Sequence, residues 1–205
     1  LSNALALDSR GRLISVQTAP GKFQIGVIYP KGSETVLADG YDGKPLDRPN
    51  DLVVDKTGGV YFTDPGPVVQ PGAEAPSLPM PPAVYYVPSG GKIIKVADGI
   101  AFPNGIQLSP DEKVLYVNDF RGEYLLAFDI QAGGALGNRR NFGKYEGVTR
   151  TGERIDSGAD GLAVDSEGRV YSATLAGIEI FSPKGEHLGT IPMPRKAQNL
   201  AFAGP

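Results

Sequence analysis

Small and apolar side chains alternate through "DGLAVDSEGRVYSAT", residues 160–174, up to Asp165, and alternation resumes at Val170 after a short Asp, Ser and Gly segment. A period of two on both sides of a turn-forming cluster predicts two antiparallel strands joined by a tight turn. The same register recurs in "NALALDSRGRLISV" from Asn3, "NDLVVDKTGGVYFTD" from Asn50 and "NGIQLSPDEKVLYVND" from Asn104, and a shorter copy, "NLAFAGP", starts at Asn199. The starts lie 47, 54, 56 and 39 residues apart. Between them "IGVIYP", "AVYYV", "KIIKV", "YLLAFDI" and "GIEIFSP" read as further strands, so each repeat holds about four.

A repeat of this length, made of short strands and Gly-rich turns without a helical period, predicts an all-β fold: a β-propeller of four-stranded blades. Residues 1–205 are expected to form a single, partial propeller domain with four to five blades represented, cut at both ends. Two open sheet edges would then invite self-association. One inserted segment stands out: residues 65–82 carry seven prolines and follow a strand end, which suits a lid or binding loop at the mouth of the site, the alternative being a disordered surface insertion.

Composition removes several classes of function. With 20 Lys and Arg against 23 Asp and Glu, the net charge is −3 and no basic block offers a footprint for nucleic acid. No apolar stretch approaches the roughly 18 residues of a membrane span, so no membrane partner is expected. Cysteine is absent, which excludes disulfides and thiolate chemistry. The lone histidine, His187 in "KGEHLGT", is expected in a solvent-facing hairpin turn, and with it a Ser-His-Asp triad drops out. A carboxylate or a metal-activated water must carry any hydrolysis.

The first strand of each blade would start at the central channel, where Asn50, Asn104 and Asp160 converge. Two amides and a carboxylate are hard oxygen ligands suited to calcium, magnesium or manganese. The alternative is that Asn-Gly and Asp-Gly merely form turns ahead of strands. Asn118, Asp119 and Arg121 follow the strand "VLYV" and are expected at the same mouth, Arg121 either holding substrate or pairing with Asp119 or Glu123. Tyr61, Tyr116 and Tyr171 are expected in the core, and Asp55, Asp111 and Asp165 in the turns.

At "VLADGYDGKPLDRPNDLVVDKTGGVYFTDP", "FPNGIQLSPDEKVLYVND", "DGLAVDSEGRVYSA" and "FSPKGEHLGTIPMPRKAQNLAFAGP" the chain resembles the SMP-30/gluconolactonase/LRE-like family of six-bladed propellers with a divalent cation in the central tunnel. The resemblance implies Asn104 and Asp160 as metal ligands, Asn50 at the metal or the substrate, Arg48 on the substrate, and Asp160 as the catalytic general base. It implies one divalent cation, calcium first, with zinc, manganese and magnesium as alternatives. The implied function is metal-dependent hydrolysis of small cyclic esters, foremost sugar lactones. The alternatives are hydrolysis of phosphorus esters or fluorides by the same fold, and a non-catalytic propeller that binds a ligand or partner. Two departures qualify the implication: the family's first ligand is a Glu in an "EGP"-like string that this sequence lacks, and "SVQTAPG" stands where relatives often carry "EHG".

Overall fold

The computed structural model describes residues 2–19, 21–67 and 80–203. The chain divides into two compact units, Leu1–Gly99 and Ile100–Pro205. In the first, β1 (Ser2–Leu7), β2 (Leu13–Ala19), β3 (Lys22–Tyr29) and β4 (Thr35–Ala38) form one sheet. A short hairpin, β5 (Gly40–Tyr41) and β6 (Lys44–Pro45), leads to the second sheet: β7 (Leu52–Val54), β8 (Val60–Asp64), β9 (Ala83–Val87) and β10 (Ile94–Asp98). The second unit repeats the plan with β11 (Pro103–Leu108), β12 (Val114–Asp119), β13 (Tyr124–Ile130) and β14 (Leu136–Lys144). A hairpin of β15 (Thr149–Thr151) and β16 (Arg154–Asp156) precedes the fourth sheet: β17 (Leu162–Val164), β18 (Val170–Ala173), β19 (Ile178–Phe181) and β20 (His187–Ile191). Each four-stranded sheet is an antiparallel meander in sequence order. The fifth copy, from Asn199, is without regular strand as far as residue 203. Most of the Pro-rich segment, residues 68–79, lies outside the described residues.

In the first, second and fourth sheets the turn between the first two strands is built by one carboxylate. In the second sheet the Asp55 carbonyl accepts the Gly58 N–H at 2.9 Å, and its Oδ1 accepts the Thr57 and Gly59 N–H groups at 2.8 and 2.9 Å. Asp8 and Asp165 repeat this geometry. The turn requires a left-handed residue, supplied by Gly11, Gly58 and Gly168 at φ of 73°, 85° and 81°. The third sheet differs from the expected register: Ser109, not Asp111, takes the Asp55 position, its carbonyl accepting the Glu112 N–H at 2.9 Å, and Glu112 adopts the left-handed conformation. Asp111 braces that turn through the Ser109 hydroxyl at 2.7 Å.

The alternation seen in sequence buries an apolar cluster in each unit. Ile14, Val16, Ile25, Val60, Phe62 and Tyr85 pack together in the first, and Tyr116, Leu125, Tyr145, Leu162, Val170 and Phe181 in the second. Burying each such side chain contributes about 1.5–3 kcal/mol relative to exposure. Tyr61 and Tyr116 are core residues as expected, but Tyr171 is only half-buried, edge-on to Phe202 with its hydroxyl 3.2 Å from Asp165. His187 also departs from expectation. The turn closes earlier, between Ser182 and Gly185, so His187 opens β20 and its ring packs edge-on against Phe181 with 22% of the side chain exposed.

The turn carboxylates predict an acid limit to stability. Burial raises the Asp8, Asp55 and Asp165 pKa values, but hydrogen bonds from Arg12 and Arg10, from Thr57, Tyr86 and Gly59, and from Arg169 and Tyr171 outweigh it and hold all three below 3.8. A depressed folded-state pKa contributes stability that is present above the unfolded value and lost as pH falls through the folded one. Unfolding free energy measured by urea is therefore expected to be flat in these groups above about pH 5 and to fall from about pH 4 downward. Asp165→Asn should flatten that slope; an unchanged slope would remove Asp165 from the account.

Candidate functional site

Asn104 is buried at the start of β11, and the approach to it is held by Asp119, the last residue of β12. The Asp119 carboxylate accepts the N–H groups of Ala101, Phe102 and Arg121 at 3.2, 2.9 and 3.2 Å. Asp64 does the same in the first unit, accepting the Asp47 and Arg48 N–H groups at 2.9 and 2.8 Å ahead of Asn50. Burial pushes the Asp64 carboxyl above its ordinary value, against those hydrogen bonds. The recurring final Asp of "YFTD" and "YVND" was the sequence signal for this device. In the fourth sheet Thr174 stands in that place, and the Ser157 and Gly158 N–H groups turn instead to the Phe120 carbonyl at 3.2 and 3.3 Å.

The glycines after Asn104 and Asp160 are required by space. Gly105 donates its N–H to the Asp160 carbonyl at 3.1 Å, and a Cβ at 105 would lie 2.2 Å from that oxygen. Gly161 donates to the Gln198 carbonyl at 2.8 Å, and a Cβ there would lie 2.8 Å from the Asn199 Cα. Neither glycine is among those with positive φ. The turn-forming reading of these pairs is thereby corrected: each glycine lets the start of the next repeat approach closely.

That approach brings two of the expected ligands together. The Asn104 side chain hydrogen-bonds the Asp160 carboxylate, and Lys196 Nζ lies 3.3 Å from Asp160 Oδ2. Burial pushes the Asp160 carboxyl above the ordinary aspartate value, against the pull of the Lys196 charge and of hydrogen bonds from Lys196 and Asn104. Beneath the pair, the Asn118 amide donates to the Asp160 carbonyl at 2.5 Å and to the Gly161 carbonyl at 3.3 Å. Its Oδ1 accepts the Tyr145 and Ser172 hydroxyls at 2.8 and 2.9 Å. Burial, with the Asp119 and Glu179 charges nearby, pushes the Tyr145 phenol well above its usual value, so it stays a donor. Asn118 is a positioning residue for the Asp160 backbone.

Arg121 takes neither expected ion pair. Its guanidinium lies over the Phe102 ring, 5.2 Å from the centroid, its Nε is buried without a hydrogen-bond partner, and Glu123 pairs with Arg150. Arg48 and Asn50 are half-buried in the first unit, where the Asn50 N–H donates to the Thr63 carbonyl at 2.8 Å and the Asn50 carbonyl accepts the Asn3 amide at 2.8 Å. Lys196 was missed in the sequence. Its one signal was register, since it precedes Asn199 by three residues as Asp47 precedes Asn50. Among the described residues no group of three or more His, Cys, Asp or Glu side chains is placed to hold a metal.

Within each unit two sequential four-stranded antiparallel meanders meet at their first strands, β1 against β7 and β11 against β17, as the blades of a β-propeller do. The chain belongs to the SMP-30/gluconolactonase/LRE-like family, whose model matches residues 3–205. A gluconolactonase of Zymomonas mobilis is 34% identical over 167 residues, covering 77% of this chain and 45% of that protein. A lactonase of Staphylococcus saprophyticus is 32% identical over 152 residues, covering 73% of this chain and 43% of its own. The solved gluconolactonase of Xanthomonas campestris superposes with a TM-score of 0.80 at 33% identity, over 98% of this chain and 65% of that one. The chain thus spans about half the length of the curated relatives it matches.

Proposed function

We propose that this protein hydrolyses small cyclic esters, foremost sugar lactones, with the help of one divalent cation at Asn104 and Asp160. The observation that carries this reading is the contact of the buried Asn104 amide with the partly exposed Asp160 carboxylate at two adjoining repeat starts. Lactonase relatives support the substrate class, and regucalcin of Danio rerio, 30% identical over 189 residues, belongs to the same set. A calcium-binding regucalcin of Agrobacterium tumefaciens has the same fold, with a TM-score of 0.74.

The donor set fits a hard cation. Asp160 offers carboxylate oxygens and the only negative charge of the pair, and Asn104 offers an amide oxygen once its amide turns from Asp160. Calcium fits best, with manganese, magnesium or zinc as alternatives. When bound, the cation supplies Lewis acidity toward a lactone carbonyl. Asp160 orients the attacking water and accepts its proton as the water oxygen bonds to the carbonyl carbon. The ring C–O bond then breaks, and the proton passes to the departing oxygen to give a hydroxy acid. Arg121, with its guanidinium braced on Phe102, is proposed to hold substrate hydroxyls. Arg48 and Asn50 are proposed substrate contacts on the family resemblance.

Acid release from a panel of aldonolactones, corrected for spontaneous opening, tests the reading. Hydrolysis is expected with added calcium or manganese and not with chelator. Turnover of phosphorus esters alone would replace the lactone reading, and metal binding without any turnover would favour a non-catalytic propeller.

A further inference from the structure

We propose that Lys196 is an internal counter-ion of Asp160 that competes with the divalent cation for the carboxylate, and so sets how tightly the metal is held. The proposal rests on the metal reading above and concerns a residue that reading does not use. The Lys196 ammonium lies 3.3 Å from Asp160 Oδ2, and the two side chains are 31% and 20% exposed. It is also held from the other side, 4.4 Å from the centroid of the Phe120 ring. Its stem packs on Gly158, where a Cβ would come within 3.2 Å of Lys196 Cε. The segment that carries it is anchored at the same place, because the Gln198 carbonyl accepts the Gly161 N–H. Lys196 is therefore positioned by three contacts of its own side chain and by a backbone anchor two residues on, unlike a surface lysine that visits a carboxylate in passing.

Asp160 Oδ2 cannot serve an ammonium and a divalent ion at once. Like charges a few ångströms apart repel strongly where water is partly excluded. Metal entry must move Lys196 off the carboxylate, and the Phe120 face gives the ammonium somewhere to remain. The bound cation is thus opposed by the lost ion pair and by the residual charge of Lys196. Removing that charge without shortening the side chain should tighten the metal about fivefold to tenfold, the range for breaking one partly exposed ion pair and relieving one repulsion.

Calorimetric titration with calcium and with manganese alone tests this on the wild type, Lys196→Met, Lys196→Gln, Lys196→Arg and Asp160→Ala. Lys196→Met and Lys196→Gln are expected to bind about fivefold to tenfold more tightly, Lys196→Arg to match the wild type, and Asp160→Ala to lose binding. Metal-free melting temperatures should fall slightly and alike in Lys196→Met and Lys196→Gln, which both lose the ion pair, and match the wild type in Lys196→Arg. Wild-type binding with unchanged or weaker affinity in both Met and Gln variants would overturn the counter-ion role and leave the metal reading standing. Absence of binding in every protein would overturn both. Binding in the Met and Gln variants but not in the wild type would support the competition in its strongest form.

Discussion

Asp160→Ala is expected to bring metal-stimulated lactone hydrolysis down to the spontaneous background, a loss of at least about a thousandfold. Asp160 is the only carboxylate of the Asn104 pair, so the substitution removes at once the charge that would hold the cation and the group that would take the proton. The backbone should survive it. The Asp160 N–H donates to the Ala173 carbonyl at 2.8 Å, and its carbonyl accepts from Gly105 and Asn118, none of which uses the side chain. Lys196, one-third exposed, can turn to solvent once its partner is gone. Asp160→Asn sharpens the comparison by keeping an oxygen ligand of nearly the same size while losing charge and basicity. It is expected to be as inactive as Ala while binding metal more weakly than the wild type. Retention of more than a tenth of the activity in either variant would transfer the catalytic role elsewhere.

Asn118→Ala is expected to cost about 3–4 kcal/mol of stability, read from the midpoint of urea unfolding, and to take activity with it. One amide serves four partners there: two backbone carbonyls at the Asp160 start and the hydroxyls of Tyr145 and Ser172. Asn118 and Ser172 are wholly buried and Tyr145 nearly so, so water cannot replace the lost bonds without opening the core. Each buried group left without a partner costs about 1–3 kcal/mol, and the members of such a network polarise one another. Ser172→Ala removes only one of these bonds and should cost about 1 kcal/mol. A cost for Asn118→Ala no larger than that would mean the amide is not the keystone between the two sheets.

The two expectations rest on residues that differed in how far they could be read. Asp160 and Asn104 stood out because the hairpin pattern repeats and both occupy its first position, so comparison of copies within one chain served where a single copy would not. The same comparison found Asn118 and Asp119 at the end of the second strand but not their work. Asp119 proved to hold the incoming chain through the Ala101 and Phe102 N–H groups, and Asn118 to tie two sheets together, 42 residues apart in sequence. The glycines after Asn104 and Asp160 read equally well as turn formers; only the approach of a neighbouring backbone showed them to be space makers.

Strand positions and most of the tight turns were decided by the sequence itself, because alternation of period two and the Asp, Ser and Gly preferences of tight turns act over a few residues. The four sheets and the left-handed glycines at 11, 58 and 168 follow from those local rules. The environment of Asp160 was decided only by tertiary structure. Its amide partner arrives from β11, its backbone support from β12 and its counter-ion from a strandless segment 36 residues downstream. Nothing local prefers those partners. They meet because burying the apolar faces of successive sheets fixes how closely the strand starts approach, and at that distance a carboxylate left in a partly dry place must find a cation.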